Sequence, residues 1–323
     1  MLPPLTFDPI LKRIRWGGLK LGTLLGKAIG SESDYAESWE VADHVDGQSR
    51  VASGPMIGMT LASLIQNYPT ELLGRHAAAK QFPLLIKFLD ANDWLSLQVH
   101  PDDRLARRYS ETENGKTEAW IILESQPDSR ICSGLKKGVT PEQLREALNT
   151  GTVEDCLNII PVSAGDCVFV PAGTVHALGP GIVLAEVQQQ SNITFRLHDW
   201  GRVDASGKPR PIHVEDSIAC TDFDRGPVFP VQSIQLCDQS HPFEELLRCD
   251  FFVIRRHRFV DPIRITTDDR FRILMSIQGN ATVKTNTGTA PLRLGSTILL
   301  PACSKSTIVT PESPAVMLEV LCP

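Results

Sequence analysis

Eight short runs, each closed by glycine, proline, aspartate or asparagine, limit how this chain can fold more than any other feature: "FPLLIKFLDA", "EAWIILES", "GDCVFVPA", "GIVLAEVQQ", "NITFRLHDW", "FRILMSIQG", "ATVKTN" and "STILLPA". Runs this short, with turn residues between them, predict strands of a β sandwich or barrel, because each buries a face only by pairing with neighbours. Two stretches carry helical spacing instead. "TLASLIQNYPTELLG" (60–74) ends on a glycine stop, and "TPEQLREALNTGTVEDCLN" (140–158) opens with Thr140 as cap and Pro141 in the first turn. "RLARRY" (104–109) reads as an exposed basic helical face, and the proline-rich segments 207–216 and 224–232 read as the linker region.

Composition narrows the classes of partner. The 323 residues are 42% hydrophobic, and 32 Lys plus Arg against 38 Asp plus Glu give a formal charge of -6. That balance implies no general attraction to nucleic acid or to an anionic membrane, so any anionic ligand must be caught by a local cluster. No run reaches the roughly 18 apolar residues of a membrane span, and "MLPPLTFDPILKRIRWGG" lacks a charged leader followed by a long apolar core. Eight cysteines are scattered without C-x-x-C pairs, as in a reducing compartment. A cytoplasmic protein is expected.

Chemistry first surfaces in "LSLQVHPDD" (95–103). Side chains two apart on a strand share a face, so Gln98 and His100 project together while Leu97 and Val99 pack the other way. A second histidine closes "GDCVFVPAGTVH", where Gly165, Pro171, Gly173 and His176 follow the pattern Gly, x5, Pro, x, Gly, x2, His. This resembles the second motif of the cupin superfamily, small jelly-roll barrels whose histidine holds a metal. Near the C-terminus "GSTILLPACSKS" keeps Gly295 and Pro301 but has Cys303 and Ser306 where the glycine and histidine stood. The expected fold is therefore mainly β, with two cupin-like jelly-roll barrels and helical insertions: residues 1–223 the metal-binding barrel, residues 224–323 a degenerate one without metal ligands.

The ordered blocks "FPLLIKFLDANDWLSLQVHPDD", "GKTEAWIIL", "VPAGTVHALG" and "AEVQQQSNITFRLHDWGR" go further. They resemble the signature of the type I mannose-6-phosphate isomerases in their short bacterial form. The resemblance implies interconversion of mannose 6-phosphate and fructose 6-phosphate, with one zinc ion held by Gln98, His100, Glu118 and His176. Nitrogen and oxygen donors of this kind suit zinc, and iron, manganese or cobalt suit the same set. It also carries the catalytic arginine onto Arg196, as stabiliser of the intermediate or binder of phosphate.

Other candidates come from the residues themselves. Lys87 sits among large apolar neighbours, where an ammonium is costly without an anionic partner such as a sugar phosphate or enediolate. Lys116 shares strand parity with Glu118, and Lys136 can reach a phosphate. Relatives commonly have an aspartate where this chain has Asn192, and an amide cannot take a proton at neutral pH. The base is therefore assigned to Glu186 or a lysine, with Lys116 the lysine named for the test. His44, His76, His198, His213, His241 and His257 are read as ordinary core or surface residues. Two other functions remain open: a non-catalytic sugar-phosphate-binding cupin and an iron-dependent cupin oxygenase. A monomer or weak homo-oligomer is expected, with no nucleic acid or membrane partner.

Overall fold

The computed structural model describes residues 1–111, 113–203, 207–238 and 241–323. The fold is mainly β. Two compact units form: one from Met1–Lys12, Leu19–Phe88 and Gln232–Pro323, the other from Arg13–Gly18 and Leu89–Val231. The units are not consecutive, and the expected division between 223 and 224 falls inside the run Leu89–Val231. One physical reason is visible in the first unit. The strand Leu5–Thr6 pairs antiparallel with Thr297–Leu300, tying the N-terminus to the last barrel.

The second unit is built around a five-stranded sheet in the order Leu157–Pro161, Arg130–Leu135, His176–Leu178, Leu97–Val99, Phe195–His198. A second set of strands, Cys167–Val170, Glu118–Ser125 and Ile182–Gln189, pairs antiparallel side by side. Leu97, Val99, Cys132, Leu135, Val175, Ala177 and Leu197 pack one apolar cluster with Leu144 and Ala147 of the helix Pro141–Thr150.

Both predicted helices are shorter than their sequence runs. The first breaks into Leu61–Asn67 and Pro69–Leu73, because Pro69 has no N–H with which to continue the first segment. The second stops at Thr150, where Gly151 turns left-handed at φ 74°, and resumes only as the 3₁₀ turn Val153–Cys156. Its start is as expected: Thr140 and Gln143 form a reciprocal capping box.

The segments read as linkers are built into the second unit. Val228 N–H donates to the Ser133 carbonyl at 3.0 Å and Val231 N–H to the Cys167 carbonyl at 2.7 Å, while Val214–Cys220 is a helix. Proline content removed the strand signal there without removing the packing.

In the first unit, a core of Phe259, Leu274, Met317, Ile298, Leu300 and Val309, among others, fills the C-terminal barrel. Cys303 lies in the short 3₁₀ turn Ala302–Ser304, and Ser306 opens a strand. Gly295 has φ 71°, and a Cβ there would lie 2.1 Å from the Leu25 carbonyl oxygen. Gly295→Ala is expected to destabilise the protein by roughly 2–4 kcal/mol, read as a lower urea midpoint.

Glu319 is buried at 2% exposure. Arg272 Nε lies 2.9 Å from its carboxylate, His257 Nε2 3.0 Å and Arg255 Nη1 3.6 Å. Burial alone raises its pKa, but His257, Arg272 and Arg255 outweigh it and bring the carboxyl from its ordinary value of 4.5 down to about 2. A depressed carboxyl adds stability above its unfolded pKa and loses it as pH falls through the folded one. Acid unfolding should therefore steepen between pH 4.5 and 2, by up to about 1.4 kcal/mol per pH unit. Glu319→Gln should remove that portion of the pH dependence.

Candidate active site

Strand register brings the predicted ligands together. On the five-stranded sheet, His176 stands opposite Ser133 on one side and Gln98 on the other, and Gln98 stands opposite Arg196. Residues directly opposite share a face, so Ser133, His176, Gln98 and Arg196 form one cross-strand row. On the other strand set, Glu118 stands between Val170 and Gln188, and Trp120 between Val168 and Glu186.

One ligand atom each from His100, Glu118 and His176 lies within 4.8 Å of the others, and all three residues are buried. His100 Nε2 is 3.6 Å and His176 Nε2 3.4 Å from the Glu118 carboxylate. Each imidazole is fixed from behind. His100 Nδ1 meets the Ile193 carbonyl at 3.0 Å and His176 Nδ1 the Thr174 carbonyl at 2.8 Å. A carbonyl only accepts, so both Nδ1 atoms donate, and in the neutral ring that leaves Nε2 as the lone-pair acceptor facing the carboxylate. Burial pushes the His176 pKa down to about 4 despite its bond to Thr174, with Lys116 adding to the effect. That imidazole is neutral at pH 7, the state in which histidine binds a metal. Trp120 meets it edge-on, ring centroids 5.4 Å apart.

Gln98 joins the same cluster, its amide nitrogen 3.3 Å from His176 Nε2. With His176 Nε2 as acceptor, that contact is an N–H of the amide donating to the ring; toward a cation in the cluster the amide would present its oxygen instead, by exchange of its nitrogen and oxygen. The donor set fits a borderline divalent cation. Three acceptors facing one another in a dry interior repel unless a positive charge stands among them.

Lys116 supplies one such charge, which sequence parity alone did not locate. Its Nζ lies 2.9 Å from Glu118 Oε2 and 3.0 Å from His100 Nε2. Glu186 is buried and accepts from Trp120 Nε1 at 3.2 Å.

Arg196 is half-buried and held by the segment read as a linker. Its Nη1 donates to the Pro211 carbonyl at 2.9 Å, and its backbone exchanges two hydrogen bonds with His213. Its Nε is buried with no partner among the described residues. Burial and then the neighbouring Arg210 lower its pKa from the ordinary guanidinium value of 12.5.

Three of the candidates have different settings. Lys87, in the first unit, is buried with Nζ 3.8 Å from Glu37 Oε2 and 5.3 Å over the Trp39 ring, so a carboxylate of the protein serves as its anionic partner. Lys136 is exposed and donates to the Asp155 carbonyl at 2.8 Å. Asn192 is exposed, and its backbone N–H donates to Glu113 at 3.2 Å. Sequence reading missed Ser133, whose buried hydroxyl has no partner among the described residues although it stands beside His176 in the row. Nothing in "RICSGL" marks it.

Comparison with known proteins decides the family. The profile of the phosphomannose isomerase type I catalytic domain matches residues 5–125, and that of the mannose-6-phosphate isomerase cupin domain matches residues 243–315. Mannose-6-phosphate isomerase ManA of Bacillus subtilis is 34% identical over 92% of this chain and 93% of its own length. The chain belongs to the type I mannose-6-phosphate isomerase family. Another member, the mannose-6-phosphate isomerase of Streptococcus mutans, is 33% identical over 95% of both chains. The crystal structure of the mannose 6-phosphate isomerase from Bacillus subtilis superposes with a TM-score of 0.91 over 99% of each chain at 28% identity. An Archaeoglobus fulgidus protein described as a putative mannosephosphate isomerase shares the fold, with a TM-score of 0.82 at 22% identity. As in the family, the fold is a cupin-containing isomerase fold. Among the described residues no helix is long and apolar enough to cross a membrane.

Proposed function

We propose that this protein interconverts mannose 6-phosphate and fructose 6-phosphate through an enediolate, with one divalent ion, zinc by first choice, held by Gln98, His100, Glu118 and His176. The observation that carries this reading is the convergence of two Nε2 acceptors and a carboxylate in a buried cluster whose Nδ1 atoms are already engaged by carbonyls. Such an ion supplies Lewis acidity toward the O1/O2 side of an opened sugar.

The chain's own side chains carry the rest. Moving a carbonyl between C1 and C2 requires taking a proton from one carbon and returning it to the other. Glu186 and Lys116 are the groups assigned to that transfer. Both are buried, and Lys116 sits against the Glu118 carboxylate and the His100 ring. Arg196, with its unpartnered Nε, stabilises the negative charge that develops on the substrate. Ser133 and Gln188, each with a buried oxygen lacking a partner among the described residues, receive sugar hydroxyls.

A coupled assay of both directions tests the reading. Lys116→Met and Glu186→Gln should each lower kcat by about 100-fold or more if the named group carries the proton. Full activity in both variants would remove these two residues from the reaction. Substrate binding without turnover in the metal-loaded wild type would make the protein a sugar-phosphate sensor, and oxygen uptake with iron would make it an oxygenase.

A further inference from the structure

A cavity of about 540 Å³ opens in the unit that holds the candidate active site, and none of Gln98, His100, Glu118, His176 or Arg196 lines it. Its wall carries two tryptophans, Trp94 and Trp200, with ring centroids 5.6 Å apart and planes inclined at 51°. The size falls within the few hundred to 1,000 Å³ typical of small-molecule sites.

The backbone pays unusual attention to Trp200. It lies at φ 56°, followed by Gly201 at φ 66°, in a tight turn closed by the bond from Arg202 N–H to the Asp199 carbonyl. Left-handed backbone at a bulky aromatic residue costs about 1–2 kcal/mol, where asparagine or glycine would sit without strain. The turn is held open by its surroundings: Trp200 Nε1 donates to the Leu95 carbonyl at 2.6 Å, and Arg202 donates to the Trp94 carbonyl and to Asp199. The indole is thus fixed as part of the cavity wall.

The lining of the cavity carries one more cation than anion, in a chain whose net charge is -6. Arg15, Arg130 and Arg202 line it against Asp93 and Glu154. Arg202 is engaged with Asp199 and, at 3.5 Å, with Asp93. Arg130 is exposed; its backbone carbonyl accepts from Gly179 N–H, but its guanidinium makes no hydrogen bond or ion pair with a described residue, and Arg15 gives one guanidinium nitrogen to the Val203 carbonyl. We infer that this cavity binds a nucleotide, with its flat heterocycle against the Trp94/Trp200 wall and its phosphate on Arg130 and Arg15. An aromatic wall accepts any base by its π-face, and a guanidinium fork matches phosphate oxygens. A neutral sugar would leave the unpaired cations without a partner, and inorganic phosphate would leave the tryptophans bare.

Titration calorimetry with AMP on the full-length protein, run in the presence of equilibrated mannose and fructose 6-phosphates to occupy the active site, tests this. Binding in the micromolar to submillimolar range is expected, weakened about tenfold or more by Arg130→Ala and by Trp94→Leu, and equally weakened when adenosine replaces AMP. Arg130 is exposed, so its variant should fold even where a tryptophan variant fails. Absence of binding up to millimolar AMP, or binding that Arg130→Ala leaves unchanged, would overturn the inference. Loss of AMP binding on adding the sugar phosphates would also overturn it, because the nucleotide would then be occupying the active site.

Discussion

Glu118→Gln is expected to lower kcat/KM by about 1,000-fold or more and to leave less than about a tenth of a metal ion per chain. Three effects act together on that one oxygen pair. Glu118, the one carboxylate of the cluster among the described residues, loses its charge, so two imidazoles and amides remain to hold a dication. The Lys116 ammonium, 2.9 Å away and buried, loses its counter-ion. Stripping a buried charge of its partner costs roughly 3–5 kcal/mol, so the variant should also melt earlier than the wild type. Lys116→Met in the same background separates the causes. The double variant should regain much of the lost stability while remaining inactive, because the unpaired cation is gone and the metal donor is still missing. Recovery of activity in the double variant would refute the assignment of Glu118 as a ligand.

Arg196→Ala is expected to lower kcat by about 100- to 1,000-fold with metal content unchanged. The residue stands in the same row as Gln98 and His176 but contributes no donor to the cluster. Its fork is held by the Pro211 carbonyl and its backbone by His213, so the shape of that segment sets where the charge sits. Arg196→Lys should recover little, because a single ammonium on a flexible stem cannot use the geometry that holds a planar guanidinium. Steady-state kinetics in both directions, beside metal analysis, reads the result. A rise in KM with kcat intact would move Arg196 from charge stabilisation to phosphate binding.

How much of this was written in the sequence differs from residue to residue. Gln98 was legible from the alternation of the strand Leu97–Val99, and His100, one residue past the end of that strand, from the same alternation carried one step further than the strand runs. Their partner His176 was legible because the motif glycines do physical work, Gly165 at φ 99° and Gly173 at φ 85°, where most side chains are strained. The helix over 140–158 was legible at its cap and illegible at its end, since Gly151 was read as one more helical position.

Other features depend on contacts between distant segments, and no local pattern announces them. The carbonyls of Thr174 and Ile193 that orient the imidazoles belong to the backbone and leave no mark on residue type. The proline-rich segment 207–216 reads as a tether because proline removes donors, yet it carries the carbonyl and ring nitrogen that hold Arg196. Lys87 reads as a substrate cation because its neighbours are apolar, and its counter-charge, Glu37, lies 50 residues earlier in the chain. Ser133 became visible only through register with His176.

In the proposed reading, one divalent cation gripped by Gln98, Glu118 and His176 of three strands and by His100, just past Leu97–Val99, gives this protein its isomerase activity. Elemental analysis of the protein as purified, with the coupled isomerase assay run on the same sample before and after chelation, addresses it most directly. About one divalent ion per chain is expected, with activity lost on its removal and restored by added zinc. Undiminished isomerase activity in protein shown to be free of metal would contradict the claim.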